Sequence, residues 1–244
     1  MALDALQRLI DIVERLRDPE RGCDWDRAQS FATIAPYTIE EAYEVADAID
    51  RDNLGDLKDE LGDLLFQVVL HSRIAAQLSA FDLTDVADAI SDKMERRHPH
   101  LFGSAAERPD WETLKAEERD SAASALDGVA LALPALLRAD KLQRRAARTG
   151  FDWPNVDGPR GKIIEELEEV AQASTQAERT EEIGDLLFAV ANYARHLSVD
   201  PEMALRSANA KFERRFRAIE THPGFATLSL AAKEALWQAV KNSA

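Results

Sequence analysis

The stretch "ELGDLLFQVVLHSR", Glu60 to Arg73, sets the interpretation of the whole chain, because "EIGDLLFAVANYAR", Glu182 to Arg195, repeats it. Each copy contains Glu-x-Gly-Asp followed by Leu-Leu-Phe. Residues three or four apart lie on the same face of a helix. Each copy therefore predicts a helix that carries two carboxylates on one side and apolar residues around them.

Four further segments of the first half recur in the second half in the same order. The pairs are Gly22-Cys23-Asp24-Trp25 with Gly150-Phe151-Asp152-Trp153, Glu40-Glu41-x-x-Glu44 with Glu165-Glu166-x-x-Glu169, "KMERRHP" from Lys93 with "KFERRFR" from Lys211, and Trp111-x-x-x-Lys115 with Trp237-x-x-x-Lys241. All five matches are offset by 118 to 128 residues. Ordered self-similarity of this kind predicts a tandem duplication.

Alanine, leucine, glutamate and arginine dominate the sequence, which indicates an all-α fold. We expect a tandem duplication of a helical-bundle unit. The predicted domains are 1–121 and 134–244, joined by the small-residue-rich linker 122–133. Glycines, prolines and two His-Pro pairs mark the expected helix ends. The predicted helices lie near 3–16, 36–51, 54–80, 84–97, 109–121, 134–148, 160–175, 179–198, 201–221 and 229–242.

Composition limits the function. The chain has 244 residues, 45% of them hydrophobic, and a formal net charge of −15, which argues against a general nucleic-acid binder because nothing global attracts phosphate. Its one cysteine, Cys23, fits a reducing cytoplasm. No apolar run approaches the roughly 18–20 residues of a membrane span, and no segment resembles a signal peptide. We expect a cytoplasmic protein that does not contact a membrane.

Paired carboxylates on consecutive helices predict a cation site in each unit. The predicted ligands are Glu166, Glu169, Glu182 and Asp185, and in the first unit Glu41, Glu44, Glu60 and Asp63. Their apolar neighbours, such as Leu167 and Leu187, suggest partial burial, where like charges repel more strongly. Ligands that are all oxygens favour Mg²⁺ or Mn²⁺ over Zn²⁺. Gly184 is expected where helices approach closely around the metal.

Two other interpretations compete for these carboxylates. An isolated Glu-Glu-x-x-Glu is usually a solvated charged face of a helix. Metal binding is favoured here only because the acidic pairs lie on consecutive helices and are duplicated. A di-iron bundle would need Glu-x-x-His twice. Glu95-x-x-His98 has Glu213-x-x-Phe216 as its mate, so the histidine is not shared by the two units.

Magnesium sites usually combine a few carboxylates with substrate phosphates, and those phosphates need cationic partners. Lys211 and Arg215 share one helix face, and Lys162 lies one turn before Glu166. Trp237 and Lys241 place an aromatic ring beside a cation, which suits a nucleoside next to a phosphate. This pattern predicts a phosphorylated small molecule as the ligand.

The chain resembles the MazG family, nucleoside triphosphate pyrophosphohydrolases of the all-α NTP pyrophosphatase superfamily. The motifs that carry the resemblance are "GCDWDRAQSFATIAPYTIEEAYEV", "ELGDLLFQVV", "RRHPHLFG", "LPALLRADKLQRRA", "GFDW", "GDLLFAVANYARHL" and "SANAKFERRF". The resemblance implies a homodimer that uses Mg²⁺ to convert NTPs and dNTPs to the monophosphate and pyrophosphate, as nucleotide-pool housecleaning.

Carried over to this sequence, the resemblance implies the same four metal ligands in the second unit. It implies triphosphate and nucleoside contacts by Lys162, Glu165, Lys211, Arg215, Trp237 and Lys241. We interpret Glu165, Glu166 and Glu169 as the catalytic set, with Glu165 as the candidate general base. The family often has a lysine four residues before the glutamate of Glu-x-x-Asp. This chain has Glu178 at that position, and the neighbouring Arg179 is a candidate substitute for the phosphate contact.

The first unit keeps its carboxylates and Lys93, Arg97, Trp111 and Lys115, but it has Tyr37 where the second has Lys162. It is therefore a weak catalyst, a nucleotide-binding regulatory module or a dimerisation scaffold. The alternative for the whole chain is a non-catalytic nucleotide-binding or helical interaction protein with degenerate metal sites.

Overall fold

The computed structural model describes residues 2–103 and 124–242, and every regular element in these ranges is a helix. The predicted helix 109–121, with Trp111 and Lys115, lies outside the described residues. In the first range the helices are α1 Ala2–Leu16, α2 Asp24–Ala28, α3 Phe31–Asp50, α4 Leu54–Gln77, α5 Leu83–Arg97 and α6 Pro99–Phe102. In the second they are α7 Ala135–Arg148, α8 Asp157–Gln172, α9 Gln176–His196, α10 Pro201–Glu220, a 3₁₀ turn Phe225–Thr227 and α11 Leu230–Asn242.

The chain divides into two compact units, Met1–Arg119 and Asp120–Ala244. The all-α class and the duplicated architecture are confirmed, since α3 packs on α4 in the first unit as α8 packs on α9 in the second. The predicted linker 122–133 begins outside the described residues, and its described part consists of turns. Among the described residues, no helix is long and apolar enough to cross a membrane.

The helix predicted from residue 36 begins at Phe31 instead. Ser30 caps it, because the Ser30 hydroxyl accepts from the Thr33 backbone N–H while the Thr33 hydroxyl accepts from the Ser30 N–H. This capping box satisfies donors that a helix start leaves free. Pro36 therefore lies inside the helix, and the prediction was wrong because it treated this proline as the boundary.

The loop before α8 is held by close packing of a glycine against a tryptophan. Gly150 has a φ of +86°, a conformation that favours glycine. A Cβ on Gly158 would lie 1.9 Å from the Trp153 ring, so only glycine fits there. Helix α8 begins at Asp157, three residues before its predicted start.

The core of the first unit is a cluster of fully buried aliphatic side chains, formed by Val13, Ile34, Val69, Leu70 and Ile74. The apolar neighbours of the acidic residues in the second unit are largely exposed instead, with Leu167 at 52% and Leu187 at 50%. The prediction that a core surrounds these carboxylates therefore fails within one copy of the chain. The predicted close approach at Gly184 also fails, because a Cβ there would meet nothing within 4 Å.

Candidate metal and nucleotide site

Helices α8 and α9 bring three of the four predicted ligands of the second unit together. Carboxylate oxygens of Glu166, Glu169 and Glu182 lie within 4.8 Å of one another. Asp185, one turn beyond Glu182, is not in this group but lines the adjoining cavity. One i, i+3 pair, Glu166 and Glu169, thus meets one member of the other pair, Glu182, across the interface between α8 and α9.

Glu166 is the buried member of the group, with 3% of its surface exposed. Its Oε1 pairs with Lys162 Nζ at 2.6 Å, and the same ammonium donates to Glu165 Oε1 at 2.8 Å. Glu166 Oε2 is buried with no partner among the described residues. A buried unpartnered carboxylate oxygen is costly, and a hard divalent cation is the partner that such oxygens suit.

Burial and crowding of like charges shift the titration of the other two ligands. Desolvation, then repulsion from Glu166, raises the pKa of Glu169 and of Glu182, and Lys162 opposes both shifts. Hydrogen bonds to Glu165 and Glu166 raise the pKa of Lys162, so it remains an ammonium. The group of three carboxylates fits a divalent cation, and Lys162 supplies part of the balancing charge.

A cavity of about 480 Å³ adjoins the carboxylates. Glu166, Asp185 and Lys162 line it at one side and apolar side chains line most of the rest, including Trp153. Gln143 also lines it, 7% exposed, with its Nε2 donating to the Phe188 carbonyl at 2.8 Å and its Oε1 unpartnered among the described residues. Sequence reasoning missed Gln143, whose only signal is its place in the resembling segment "LPALLRADKLQRRA".

The rim of this cavity is fixed by an ion-pair network. Arg195 donates to both oxygens of Asp152, at 2.9 Å to Oδ2, and to the Asn192 amide oxygen. His196 Nε2 lies 3.0 Å from Asp152 Oδ1. Hydrogen bonds from Arg195, against some desolvation, lower the pKa of Asp152 to about 2. The network ties the "GFDW" loop to α9.

The predicted basic and aromatic contacts lie on α10 and α11. Lys211 is exposed and Arg215 is half-buried. The Trp237 ring packs on Phe212, with 5.3 Å between centroids, and Lys241 is exposed on the last turn of α11. Within the described residues no ion pair joins these cations to the carboxylate group.

Local hydrogen bonds explain why Glu178 stands where the family often has a lysine. The Glu178 carboxylate accepts from the backbone N–H groups of Ser174 and Thr175, and these bonds lower its pKa. Thr175 completes a capping box for α9. Glu178 therefore starts the helix, and Arg179, the candidate substitute, is exposed in its first turn.

The first unit also brings three of its four predicted ligands together, but they are not the same three positions as in the second unit. Oxygens of Glu41, Glu60 and Asp63 lie within 4.8 Å of one another, and Glu44 is outside the group. Desolvation is the largest cause that raises the pKa of Glu41 and of Glu60, followed by repulsion from neighbouring carboxylates. Gln67 Nε2 donates to Glu41 Oε1 at 3.4 Å, a contact that sequence reasoning also missed.

Fold and site together define an all-α, duplicated protein with one oxygen-only cluster per unit suited to a divalent cation. Residues 29–102 and 160–219 match the model of the MazG nucleotide pyrophosphohydrolase domain. The nucleoside triphosphate pyrophosphohydrolase of Escherichia coli (strain K12) is 49% identical, over 98% of each chain. The nucleoside triphosphate pyrophosphohydrolase/pyrophosphatase MazG of Thermotoga maritima is 45% identical, over 88% of this chain and 85% of that one. The chain belongs to the MazG family.

Proposed function

We propose that the protein hydrolyses nucleoside triphosphates, both NTPs and dNTPs, to the monophosphate and pyrophosphate with Mg²⁺, or Mn²⁺ in its place, as nucleotide-pool housecleaning. The observation that carries the proposal is the group Glu166, Glu169 and Glu182, with its buried unpartnered oxygen. Family membership supports the reaction class. A role in the nucleotide pool would go with a cytoplasmic location, which we propose as well.

In this proposal the acidic side chains bind the cation and the basic side chains bind the phosphates. Glu166, Glu169 and Glu182 would hold the cation, with Asp185 at the cavity side as a further ligand. A bound cation neutralises the triphosphate and lowers the pKa of water. Glu165, exposed beside these ligands and paired with Lys162, is the candidate base that accepts a proton from the attacking water. Lys162, Lys211, Arg215 and Lys241 would offset phosphate charge, and Trp237 would face the nucleoside.

The test is release of pyrophosphate from each common NTP and dNTP, followed by reaction in ¹⁸O water. Attack on the α-phosphorus places the label in the monophosphate. Orthophosphate and nucleoside diphosphate as first products would show attack at the γ-phosphorus and overturn the proposal. Activity should not need added Zn²⁺, since the ligands are oxygens only.

One observation favours a second candidate, a non-catalytic nucleotide-binding or helical interaction protein. Lys162 already pairs with one oxygen of Glu166, and the cations of α10 make no ion pair with the cluster in the described residues of one copy. Such a protein would bind Mg²⁺–NTP in equilibrium dialysis without releasing pyrophosphate. The release assay therefore separates the two candidates.

We also infer a homodimer. Large apolar side chains on the faces of α8 and α9 that flank the ligands are half exposed, among them Ile164, Leu167, Ile183 and Leu187. A contiguous apolar surface of this kind is typical of an interface, and a second copy would complete the burial that the sequence pattern predicts. Homodimerisation is also what the resemblance implies.

Of the two units, the second is the proposed catalyst. Both units gather three carboxylates, but only the second has a lysine at the position of Lys162. One charge-assisted hydrogen bond to a phosphate is worth about 1.5–3 kcal/mol, or about 10–150-fold in rate if it is expressed in the transition state. That difference makes one site dominant without making the other inert.

A further inference from the structure

The two carboxylate clusters differ in the charge that faces them. In the second unit the Lys162 ammonium lies 2.6 Å from Glu166 and 2.8 Å from Glu165. At the matching position the first unit has Tyr37, whose ring packs edge-on against Trp25 with 6.1 Å between centroids. One cluster therefore has a built-in cation beside it, and the other has a phenol turned toward an aromatic neighbour.

The groups that act on the first cluster are acidic. Glu44 and Asp63 are among the strongest electrostatic influences on both Glu41 and Glu60. In the second cluster Glu169 and Glu182 each feel Lys162 as well as their acidic neighbours. Among the residues that the structure describes, the first cluster thus concentrates negative charge that no lysine offsets in the way Lys162 does.

Gln67 is an independent sign that the first cluster takes a ligand. Its side chain is 5% exposed, its Nε2 donates to Glu41 Oε1, and its Oε1 is buried without a partner among the described residues. Amide oxygens are ligands for hard divalent cations. At the matching position the second unit has Ala189, so this amide belongs to the first unit alone.

We propose that the first unit, through Glu41, Glu60, Asp63 and the amide of Gln67, binds a divalent cation without nucleotide, whereas the second unit takes its cation only together with the nucleoside triphosphate. In the second unit an incoming cation meets the Lys162 ammonium, and two like charges at such short range repel. A triphosphate offers Lys162 another anionic partner, which would move the ammonium away from the cation and release Glu166 Oε1. This second half of the proposal rests on the proposed function; the first half does not.

The experiment counts cations bound to the chelator-treated full-length protein in the absence of nucleotide. Mn²⁺ is the probe, and the electron paramagnetic resonance signal of free Mn²⁺ gives the bound amount. We expect one tight Mn²⁺ per chain. Glu41→Gln should remove it, and Glu166→Gln, the matched change in the other cluster, should leave it. If Glu41→Gln fails to fold by circular dichroism, Asp63→Asn at an exposed ligand replaces it.

Two reciprocal variants test the role of the lysine. Lys162→Met should add a second nucleotide-free Mn²⁺ site, and Tyr37→Lys should weaken the first by about tenfold or more, since it places an ammonium by Glu41. Two equal sites in the parent, no tight site, or a site lost in Glu166→Gln would each overturn the proposal. So would a Lys162→Met variant that gains no site. None of these readouts depends on hydrolysis, so the proposed function can fail separately.

Discussion

Glu166 and Glu41 occupy matching positions in the two units and differ in their partners, Lys162 for one and Gln67 for the other. Each can be changed to glutamine, which keeps the shape and removes the charge. We expect Glu166→Gln to remove most triphosphate hydrolysis, because it takes away the buried ligand and the partner of Lys162. Glu169→Gln should act in the same way. Glu41→Gln should leave about half of the activity or more.

Initial rates of pyrophosphate release at saturating Mg²⁺ decide between the units, with circular dichroism to show that each variant is folded. Glu44→Gln is the matched control in the first unit, because Glu44 lies outside the group of three. If Glu41→Gln proves the damaging change, the first unit is the catalyst and the importance given to Lys162 is wrong. The assignment of both clusters as cation sites would survive that result.

Asp152 makes stability depend on pH in a definite direction. Its pKa is about 2 in the folded protein and 3.8 ordinarily, so the folded state favours the carboxylate. That stabilisation is present above about pH 4 and is lost as the pH falls toward 2. Because the loop is partly exposed, solvent screening limits it to about 1 kcal/mol. Asp152→Asn should lower the free energy of unfolding by that amount at neutral pH.

Urea unfolding of the parent and the Asp152→Asn variant at several pH values measures this. The difference between them should be constant near neutrality and shrink between about pH 4 and pH 2. Asp24 holds the matching position in the first unit, where its side chain is fully exposed and pairs only with Arg27 among the described residues. Asp24→Asn should change stability little, and an equal loss in both variants would contradict the role given to the Arg195 network.

At the scale of elements, α10 carries the cations that would meet phosphate. Lys211→Ala should lower pyrophosphate release while leaving the melting temperature unchanged, because Lys211 is exposed and would act only on substrate charge. Arg215→Ala should lower turnover too. The control is Arg217→Ala on the same helix, where Arg217 pairs with Glu213 on an exposed face and should affect neither property much.

Normal turnover of Lys211→Ala and Arg215→Ala, together with a lower melting temperature, would make α10 a structural ion-pair helix. Arg215 is the more demanding of the two, since its Nε is buried without a partner among the described residues. A stability change there alone would reflect local packing. Whether α10 contacts the substrate is therefore decided by Lys211.

The sequence predicted the elements that depend on local periodicity better than their surroundings. Helix α9 follows from the spacing of its carboxylates and apolar residues. The i, i+3 spacing brings Glu166, Glu169 and Glu182 together but leaves Asp185 outside their group. The start of α3 was missed since Ser30 and Thr33 cap it one turn before Pro36. Periodicity identifies an apolar face, but it does not say whether the same chain covers that face, and so the burial expected around Leu167 and the close approach at Gly184 were wrong.

The sequence did not predict the hydrogen bonds between segments that are far apart in the chain. Gln143 reaches the Phe188 carbonyl across 45 positions, and Arg195 reaches Asp152 across 43. A glutamine or an arginine in a sequence does not by itself predict such a hydrogen bond. No spacing rule links α7 to α9 or the "GFDW" loop to α9. The repeat correctly aligns Asp152 with Asp24 in the sequence, but different hydrogen bonds hold this loop in the two units. In the first unit buried Arg17 donates instead to the backbone carbonyls of Asp26 and Gln29.

At the scale of the whole molecule, the apolar face of α8 and α9 makes oligomeric state testable. Leu187→Glu should shift the protein from dimer to monomer in sedimentation equilibrium, because a charge would be buried at the proposed interface. Leu131→Glu is the matched control, since Leu131 is 84% exposed and lies in the turns before α7. A monomeric parent, or a dimer that both variants leave intact, would show that this face is not the interface.

The ion pair between Lys162 and Glu166 bears on which metals the protein acquires in a cell. Oxygen ligands suit magnesium and manganese, but at a given site affinity still rises from manganese to copper, so an open cluster is exposed to binding of the wrong metal. If Lys162 gives up Glu166 only to a polyphosphate, as we propose, the site would admit the cation that polyphosphates carry, which in a cell is mostly magnesium. On this proposal the second unit would be protected against trace metals during synthesis and metal stress. The first unit has Tyr37 in place of the lysine, so this position would give it no such protection.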